Sequence, residues 1–134
     1  MMGRRIFAPL LTAAILCVAA VCHAETVDFS EMDLRFVDAV GLTGYYVDMN
    51  DISIKDNDEA TARVEIVKAD VNRLYLYHIA FNRKKRTYHI LDSIVAVYDT
   101  KEITGGSSAP LKPQSYAKGS AMETVAEYIY SPQR

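Results

Sequence analysis

The chain has 134 residues, half of them hydrophobic, and a formal net charge of −2. This length suits a single domain with its own hydrophobic core. A slightly acidic balance argues against a general nucleic-acid binder, so the expected class is a small globular domain whose partner is not nucleic acid.

Residues 1–24 have the pattern of a secretory signal peptide. Arg4 and Arg5 give a positive start, residues 10–22 are almost wholly apolar, and Ala24 completes a small-residue cleavage site. A membrane-spanning helix needs about 20 apolar residues, and this run is shorter. We therefore predict export to the periplasm, cell envelope or extracellular space, and a single domain at residues 25–134 without a transmembrane span.

Both cysteines, Cys17 and Cys22, lie in the predicted signal peptide. The exported domain is therefore expected to have no disulfide and no cysteine-based metal site, so that packing alone stabilises it. Val21 precedes Cys22 where lipoprotein processing prefers Gly, Ala or Ser, which favours a product without a lipid anchor. The signal peptide holds two of the fifteen Lys and Arg residues, leaving thirteen against seventeen acidic residues and a net charge of −4.

The first part of the exported chain predicts short strands. Residues 25–33 are polar and predict a loose leader. Residues 34–36 alternate apolar and charged side chains, as a half-buried strand does. After glycine-containing turn residues, a second short strand is expected at 45–47, ending in an Asx-rich turn at 48–51.

The middle of the chain predicts longer strands. Residues 61–71 alternate until Val67, where the phase shifts, which indicates a β-bulge or a strand covered on both faces. Residues 74–81 and 88–98 are rich in Tyr, Ile, Leu and Val and predict two long strands. The loop between them contains four consecutive basic residues, the basic quartet: Arg83, Lys84, Lys85 and Arg86.

The last part of the chain predicts a connection followed by a helix. Residues 100–118 are turn-rich, include a Gly105-Gly106 turn, and are expected to drape over the sheet. Ser120 and Glu123 have the spacing of a capping box. The apolar residues at helical spacing that follow are Ala121, Met122, Val125, Ala126 and Ile129. The predicted fold class is α+β, an antiparallel sheet of about five or six strands with one C-terminal helix packed on a face.

The two histidines of the exported part offer a weak metal site. If the basic quartet forms the hairpin turn, His78 faces Leu91 and His89 faces Ala80. The imidazoles then share a face but lie diagonally, about 7 Å or more apart at Cβ. No acidic residue completes the ligand set, so half-buried sheet histidines are favoured over a site. A small envelope metal protein or enzyme using His78 and His89 is kept as an alternative function.

Residues 48–59 have part of the spacing of an EF-hand calcium loop. Its fifth position is Ile52, where a ligand is required, and its sixth is Ser53, where glycine is required. No nucleophile elbow, phosphate-binding loop or carboxylate pair stands out. We therefore predict no cofactor, no metal site and no catalytic residue. The candidate calcium ligands set aside are Asp48, Asn50, Asp56 and Glu59.

Two sets of residues are candidates for ligand binding. Tyr75, Tyr77 and Tyr88 are expected on one face of the sheet, where tyrosine offers area, rigidity and a hydrogen bond. The basic quartet can contact an anionic partner such as a sulfated glycan, an acidic protein patch or a headgroup. The structural alternatives are a half-buried surface beneath the helix and a charged hairpin tip that discourages edge pairing.

The order of these features resembles the surface-adhesin protein E family of small exported bacterial domains. The residues that carry it are Tyr45-Tyr46-Val47-Asp48, Ser53-Ile54, the hairpin at 82–91, and Gly119-Ser120 with Glu123. The resemblance covers nearly all of residues 25–134. It implies an antiparallel sheet with a packed helix, in the envelope or at the cell surface, and its best-known member is an adhesin for host matrix and serum proteins. This chain departs from many relatives, since it has no cysteine pair in the domain and Tyr116 where they have tryptophan.

These observations favour an exported, non-catalytic binding module, with adhesion to host or matrix proteins as the function that the resemblance implies. A protein or a sulfated glycan is the expected partner. An inhibitor of an envelope hydrolase fits the size and location equally well.

Overall fold

The computed structural model describes residues 24–131. The predicted signal peptide, with Cys17 and Cys22, lies outside these residues except for Ala24. The elements are β1 (Leu34–Val40), β2 (Thr43–Ile54), β3 (Glu59–Lys68), β4 (Arg73–Asn82), β5 (Thr87–Val97), β6 (Ile103–Ser107), β7 (Gln114–Ser115) and the helix α1 (Ala121–Tyr130), with a 3₁₀ turn at Ala69–Val71.

The strands form one antiparallel sheet. Strands β1 to β6 lie side by side in chain order, and the short β7 pairs with the start of β5. Short connections make each strand pair with the one before it, which is the simplest antiparallel arrangement. The predicted α+β class, with one C-terminal helix on an antiparallel sheet, is confirmed.

The hairpin of β4 and β5 carries the basic quartet at its turn, as predicted. Ala80 pairs with His89, also as predicted, and Phe81 pairs with Tyr88. The register then shifts between His78 and Ile79, so that His78 faces Asp92. The predicted partner, Leu91, is therefore wrong, because an extra residue in β5 forms a β-bulge.

Strand β2 is longer than the sequence indicated. The expected Asx-rich turn at 48–51 is wrong, because β2 continues to Ile54 and its register with β3 shifts between Val47 and Ile52. The local bond that suggested a turn is present, since Asp48 Oδ1 accepts the backbone N–H of Asn50 at 3.0 Å. It stabilises an irregularity inside the strand instead of ending it.

Residues 100–118 contribute to the sheet and do not only drape over it. Residues 103–107 form β6, which pairs with β5 along the sheet edge. Gly105 and Gly106 lie within this strand, so the predicted Gly-Gly turn is wrong. The tertiary pairing with β5 outweighs the turn preference of the glycines.

The helix begins as the capping pattern predicted. Ser120 Oγ accepts the backbone N–H of Glu123 at 3.3 Å, and Glu123 Oε1 accepts the N–H of Gly119 at 2.9 Å. Four apolar side chains, those of Ala121, Val125, Ala126 and Ile129, are buried, and that of Met122 is half-buried. Within residues 24–131, no helix has the length and apolar character needed to cross a bilayer.

Hydrophobic residues are buried on both faces of the sheet. On the helix face, Val64 and Ile79 pack with Val125 and Ile129 of α1. On the opposite face, a smaller cluster contains Val67, Leu74 and Ala96. The phase shift at Val67 therefore arises from a strand covered on both faces, since β3 and β4 pair without a break there.

Residues 25–33 cover the smaller cluster, so the predicted loose leader is wrong. Val27 and Phe29 pack against that cluster. The Val27 N–H donates to the Lys101 carbonyl at 2.9 Å, and the Ile103 N–H donates to the Glu25 carbonyl at 2.8 Å. These bonds hold the start of the segment beside β6, and the bond from the Met49 N–H to the Asp33 carbonyl, at 2.8 Å, holds its end beside β2.

Candidate ligand-binding surfaces

The helix leaves part of its own face of the sheet uncovered. It packs mainly on β1, β2 and β3, while β4 and β5 extend beyond it. The uncovered part forms a hollow of about 210 Å³. We call it the tyrosine face; it is lined by Tyr45, Ile66, Lys68, Tyr75, Tyr77, Ile79, Tyr88, Ile90 and Met122. The three tyrosines predicted to share a face, Tyr75, Tyr77 and Tyr88, all lie here.

The tyrosine rings are held in place by their neighbours. The rings of Tyr75 and Tyr77 stack, with centroids 5.9 Å apart and planes inclined by 14°. Lys68 Nζ lies 5.4 Å from the centroid of Tyr75, a cation–π contact. Tyr88 donates its hydroxyl to Gln114 Oε1 at 2.8 Å. Burial raises the pKa of the Tyr77 phenol above its ordinary value, so the surface presents neutral, amphipathic rings.

The two arginines of the basic quartet are turned toward the helix. The Arg83 guanidinium lies 5.1 Å from the centroid of Tyr130 and 3.7 Å from the Glu127 carboxylate. The Arg86 guanidinium lies 5.0 Å from the centroid of Tyr116 and pairs with Glu123. These contacts tie the hairpin to both halves of α1.

One further bond, from Tyr130, strengthens this junction. Tyr130 donates its hydroxyl to the Asp58 carbonyl at 2.7 Å, and burial raises the pKa of Tyr130 to about 12. The hydrogen bond from Arg86 holds the pKa of the Glu123 carboxyl below its ordinary value. The two arginines are therefore paired with residues of α1, although their side chains remain 48% and 45% exposed.

The two lysines of the quartet differ from the arginines. Within the described residues, neither the Lys84 nor the Lys85 ammonium has an ion pair or a hydrogen bond. The quartet thus divides into a structural pair, Arg83 and Arg86, and an unpaired pair, Lys84 and Lys85. The sequence alone does not separate the four residues, because the directions of their side chains depend on where the helix packs.

The two histidines of the weak candidate metal site, His78 and His89, lie in two different hollows. Both imidazoles lie on the face opposite the helix. His78 Nδ1 is 3.5 Å from Asp92 Oδ2 in a hollow of about 320 Å³ that also contains Arg63. His89 lines a larger groove of about 630 Å³ at the hairpin end. Over residues 24–131, no three His, Cys, Asp or Glu side chains group as ligands of one metal ion.

Two carboxylates of the EF-hand-like segment bind groups of the protein itself. Asp48 is buried, accepts the Asp33 N–H at 2.9 Å and lies 3.7 Å from Arg63. Asp56 Oδ1 accepts the N–H groups of Asp58 and Glu59, each at 2.8 Å. Asp48 therefore links β2 to the segment before β1 and lies beside Arg63 of β3, while Asp56 stabilises the bend that follows β2.

The sequence alone did not single out Glu65, an acidic residue that is only 7% exposed. Its cross-strand neighbours are Tyr46 and Leu76, and no hydrogen bond or ion pair from the described part of the chain reaches it. Burial raises the pKa of Glu65 from 4.5 to about 7, an effect that Lys101 partly opposes. The available signal was an acid in the alternating run of β3, but the segment that covers it could not be foreseen.

Glu65 predicts a pH dependence of stability. The pKa of Glu65 is higher in the folded than in the unfolded chain. Its contribution to the free energy of unfolding is therefore largest below about pH 4.5 and is lost as pH rises to about 7. Thermal unfolding measured across this pH window is expected to show that the melting temperature of the wild type falls as pH rises. The Glu65→Gln variant is expected to lack this fall. Glu31→Gln, at an exposed carboxylate, is the control. Parallel pH profiles for wild type and Glu65→Gln would contradict the prediction.

Comparison with protein-family models, with curated proteins and with solved structures found no match to this chain.

Proposed function

We propose that this chain is an exported, non-catalytic binding module that contacts its ligand through the tyrosine face. The observation that carries the proposal is the position of α1, which leaves Tyr75, Tyr77 and Tyr88 half-buried beside it. If these tyrosines served only to pack the core, we would expect the helix to cover them. Ordered aromatic side chains beside a hollow supply large contact area at low entropic cost.

The expected partner of this surface is a protein. The hollow of about 210 Å³ is lined by tyrosine and aliphatic side chains and by one cation, Lys68. Anchor residues at protein interfaces are enriched in tyrosine and sit in such partly desolvated positions. The resemblance to surface-adhesin protein E and the predicted signal peptide support adhesion to host or matrix proteins outside the cytoplasm.

The proposal predicts that one tyrosine carries much of the binding. Tyr75→Ala removes one ring of the stacked pair and is expected to weaken binding to immobilised laminin or fibronectin at least tenfold. Surface plasmon resonance with the purified protein measures the effect. The circular dichroism spectrum is expected to stay that of the wild type, because Tyr75 is only half-buried.

Tyr98→Ala is the matched control, since Tyr98 is 37% exposed and lies outside the tyrosine face. This variant is expected to bind as the wild type does. Equal losses from Tyr75→Ala and Tyr98→Ala, or wild-type binding by Tyr75→Ala, would contradict a role of the tyrosine face.

A further inference from the structure

The groove on the face opposite the helix has a floor of small side chains. Strand pairing places Ser53, Thr61, Ala80 and His89 in one row across β2, β3, β4 and β5. Ala80 lies between Thr61 and His89, and its methyl group leaves a depression between two polar neighbours. The resulting groove has a volume of about 630 Å³, within the usual range of small-molecule sites.

The rim of the groove has one unpaired positive charge. Lys55 Nζ lies 3.5 Å from Glu59 Oε2, so the carboxylate that lines the groove is already neutralised. Lys85 also lines the groove, and its ammonium has no ion-pair partner within residues 24–131. A cation without a partner beside a concave surface favours an anionic ligand.

Neutral groups in the groove complete a set of hydrogen-bond donors and acceptors. Asn82 Oδ1 accepts the Lys85 backbone N–H at 2.9 Å, which orients the Asn82 side chain and leaves its amide N–H groups for a ligand. Thr61, Thr87 and His89 add two hydroxyls and an imidazole, for which the described chain provides no side-chain hydrogen bond. Such a mixture suits a ligand that has many hydroxyl groups.

We propose that this groove binds an oxyanion carried on a hydroxyl-rich scaffold, which is the chemistry of a sulfated or uronic-acid sugar. Lys85 pairs with the oxyanion, Asn82 and Thr87 bind the adjacent oxygens, and Thr61 and His89 contact hydroxyls above Ala80. The site is separate from the tyrosine face, because the two surfaces lie on opposite sides of the sheet. Failure of either proposal therefore leaves the other intact.

The test is isothermal titration calorimetry of the purified protein at low salt with four probes. These are a sulfated heparin disaccharide, its desulfated uronic-acid counterpart, neutral cellobiose and inorganic sulfate. At least one charged disaccharide is expected to bind ten times more tightly than cellobiose and inorganic sulfate. Comparing the two charged disaccharides identifies whether the oxyanion is a sulfate or a carboxylate.

Adjacent lysines provide a matched pair of variants. Lys85→Ala removes the ammonium that lines the groove and is expected to weaken disaccharide binding at least tenfold. Lys84→Ala removes the same charge from the same loop, but Lys84 does not line the groove, so its binding is expected to stay within twofold of wild type. Ala80→Leu fills the floor and is expected to abolish binding, with thermal unfolding as the check that the variant folds.

Four results would overturn the proposal. Binding of neither charged disaccharide would show that the groove is not such a site. Equal losses from Lys84→Ala and Lys85→Ala would show that loop charge alone attracts the ligand. Cellobiose binding as tightly as the charged disaccharides would show that the oxyanion is not recognised. Inorganic sulfate binding as tightly would show that the hydroxyl-rich scaffold is not recognised.

Discussion

Replacing Ile129 by alanine is expected to lower the free energy of unfolding by about 2–5 kcal/mol. Ile129 is fully buried, at 0% exposure, and packs with the core residues between α1 and the sheet. The substitution removes three carbon atoms from a closely packed interface and leaves a cavity that the surrounding strands cannot fully close. Chemical denaturation followed by circular dichroism measures the change in the unfolding midpoint.

Leu42→Ala is the control for Ile129→Ala. Leu42 has a side chain of the same size but is 67% exposed in the turn between β1 and β2. Its loss is expected to change the free energy of unfolding by less than about 1 kcal/mol. Similar midpoints for the two variants would show that α1 does not contribute to the core. The position of α1 would then no longer explain why the tyrosine face is left uncovered.

The helix and the central hairpin could be predicted because their signals are local. Ser120 and Glu123 are three residues apart, and the apolar stripe that follows spans less than three turns. The hairpin of β4 and β5 is similarly defined by two apolar runs that flank the basic quartet. Local hydrogen bonding and periodicity determine such elements before distant contacts form.

The missed features depend on distant parts of the chain. Residues 25–27 are held by bonds to the chain at β6, which itself pairs with the edge of β5, and residues 31–33 by bonds to β2. Arg83 and Arg86 differ from Lys84 and Lys85 only because α1 returns beside the hairpin. Contacts of this range leave no periodic pattern in a single sequence, which is why the quartet was interpreted as one surface.

The candidate sites also differ in whether they depend on local or on distant parts of the chain. The shared face of Tyr75, Tyr77 and Tyr88 followed from strand alternation and the hairpin register, both of which are local. The groove could not be predicted, because its floor combines residues from four strands. Only the pairing of His89 with Ala80 was available from the sequence, and that pair lies at the centre of the groove.

Gly106→Ala is expected to destabilise the domain by at least about 2 kcal/mol. Gly106 has a φ of +152°, which side chains rarely adopt, and a Cβ there would lie 2.5 Å from the Ser93 carbonyl oxygen. That oxygen belongs to the backbone of β5, so relief of the clash must displace a strand. Because residues 25–27 bond to the chain beside β6, we expect this segment to loosen as well.

Gly105→Ala separates this clash from the general effect of adding a methyl group to β6. A Cβ at Gly105 would have no atom within 4 Å, so the substitution is expected to change stability by less than about 0.5 kcal/mol. Thermal unfolding compares the melting temperatures of the two variants. Hydrogen exchange at the backbone N–H groups of Val27 and Ile103 reports whether residues 25–27 loosen. Equal melting temperatures for the two variants would contradict the close approach of β6 to Ser93. Unchanged exchange in a destabilised Gly106→Ala would instead show that residues 25–27 hold their place independently of β6.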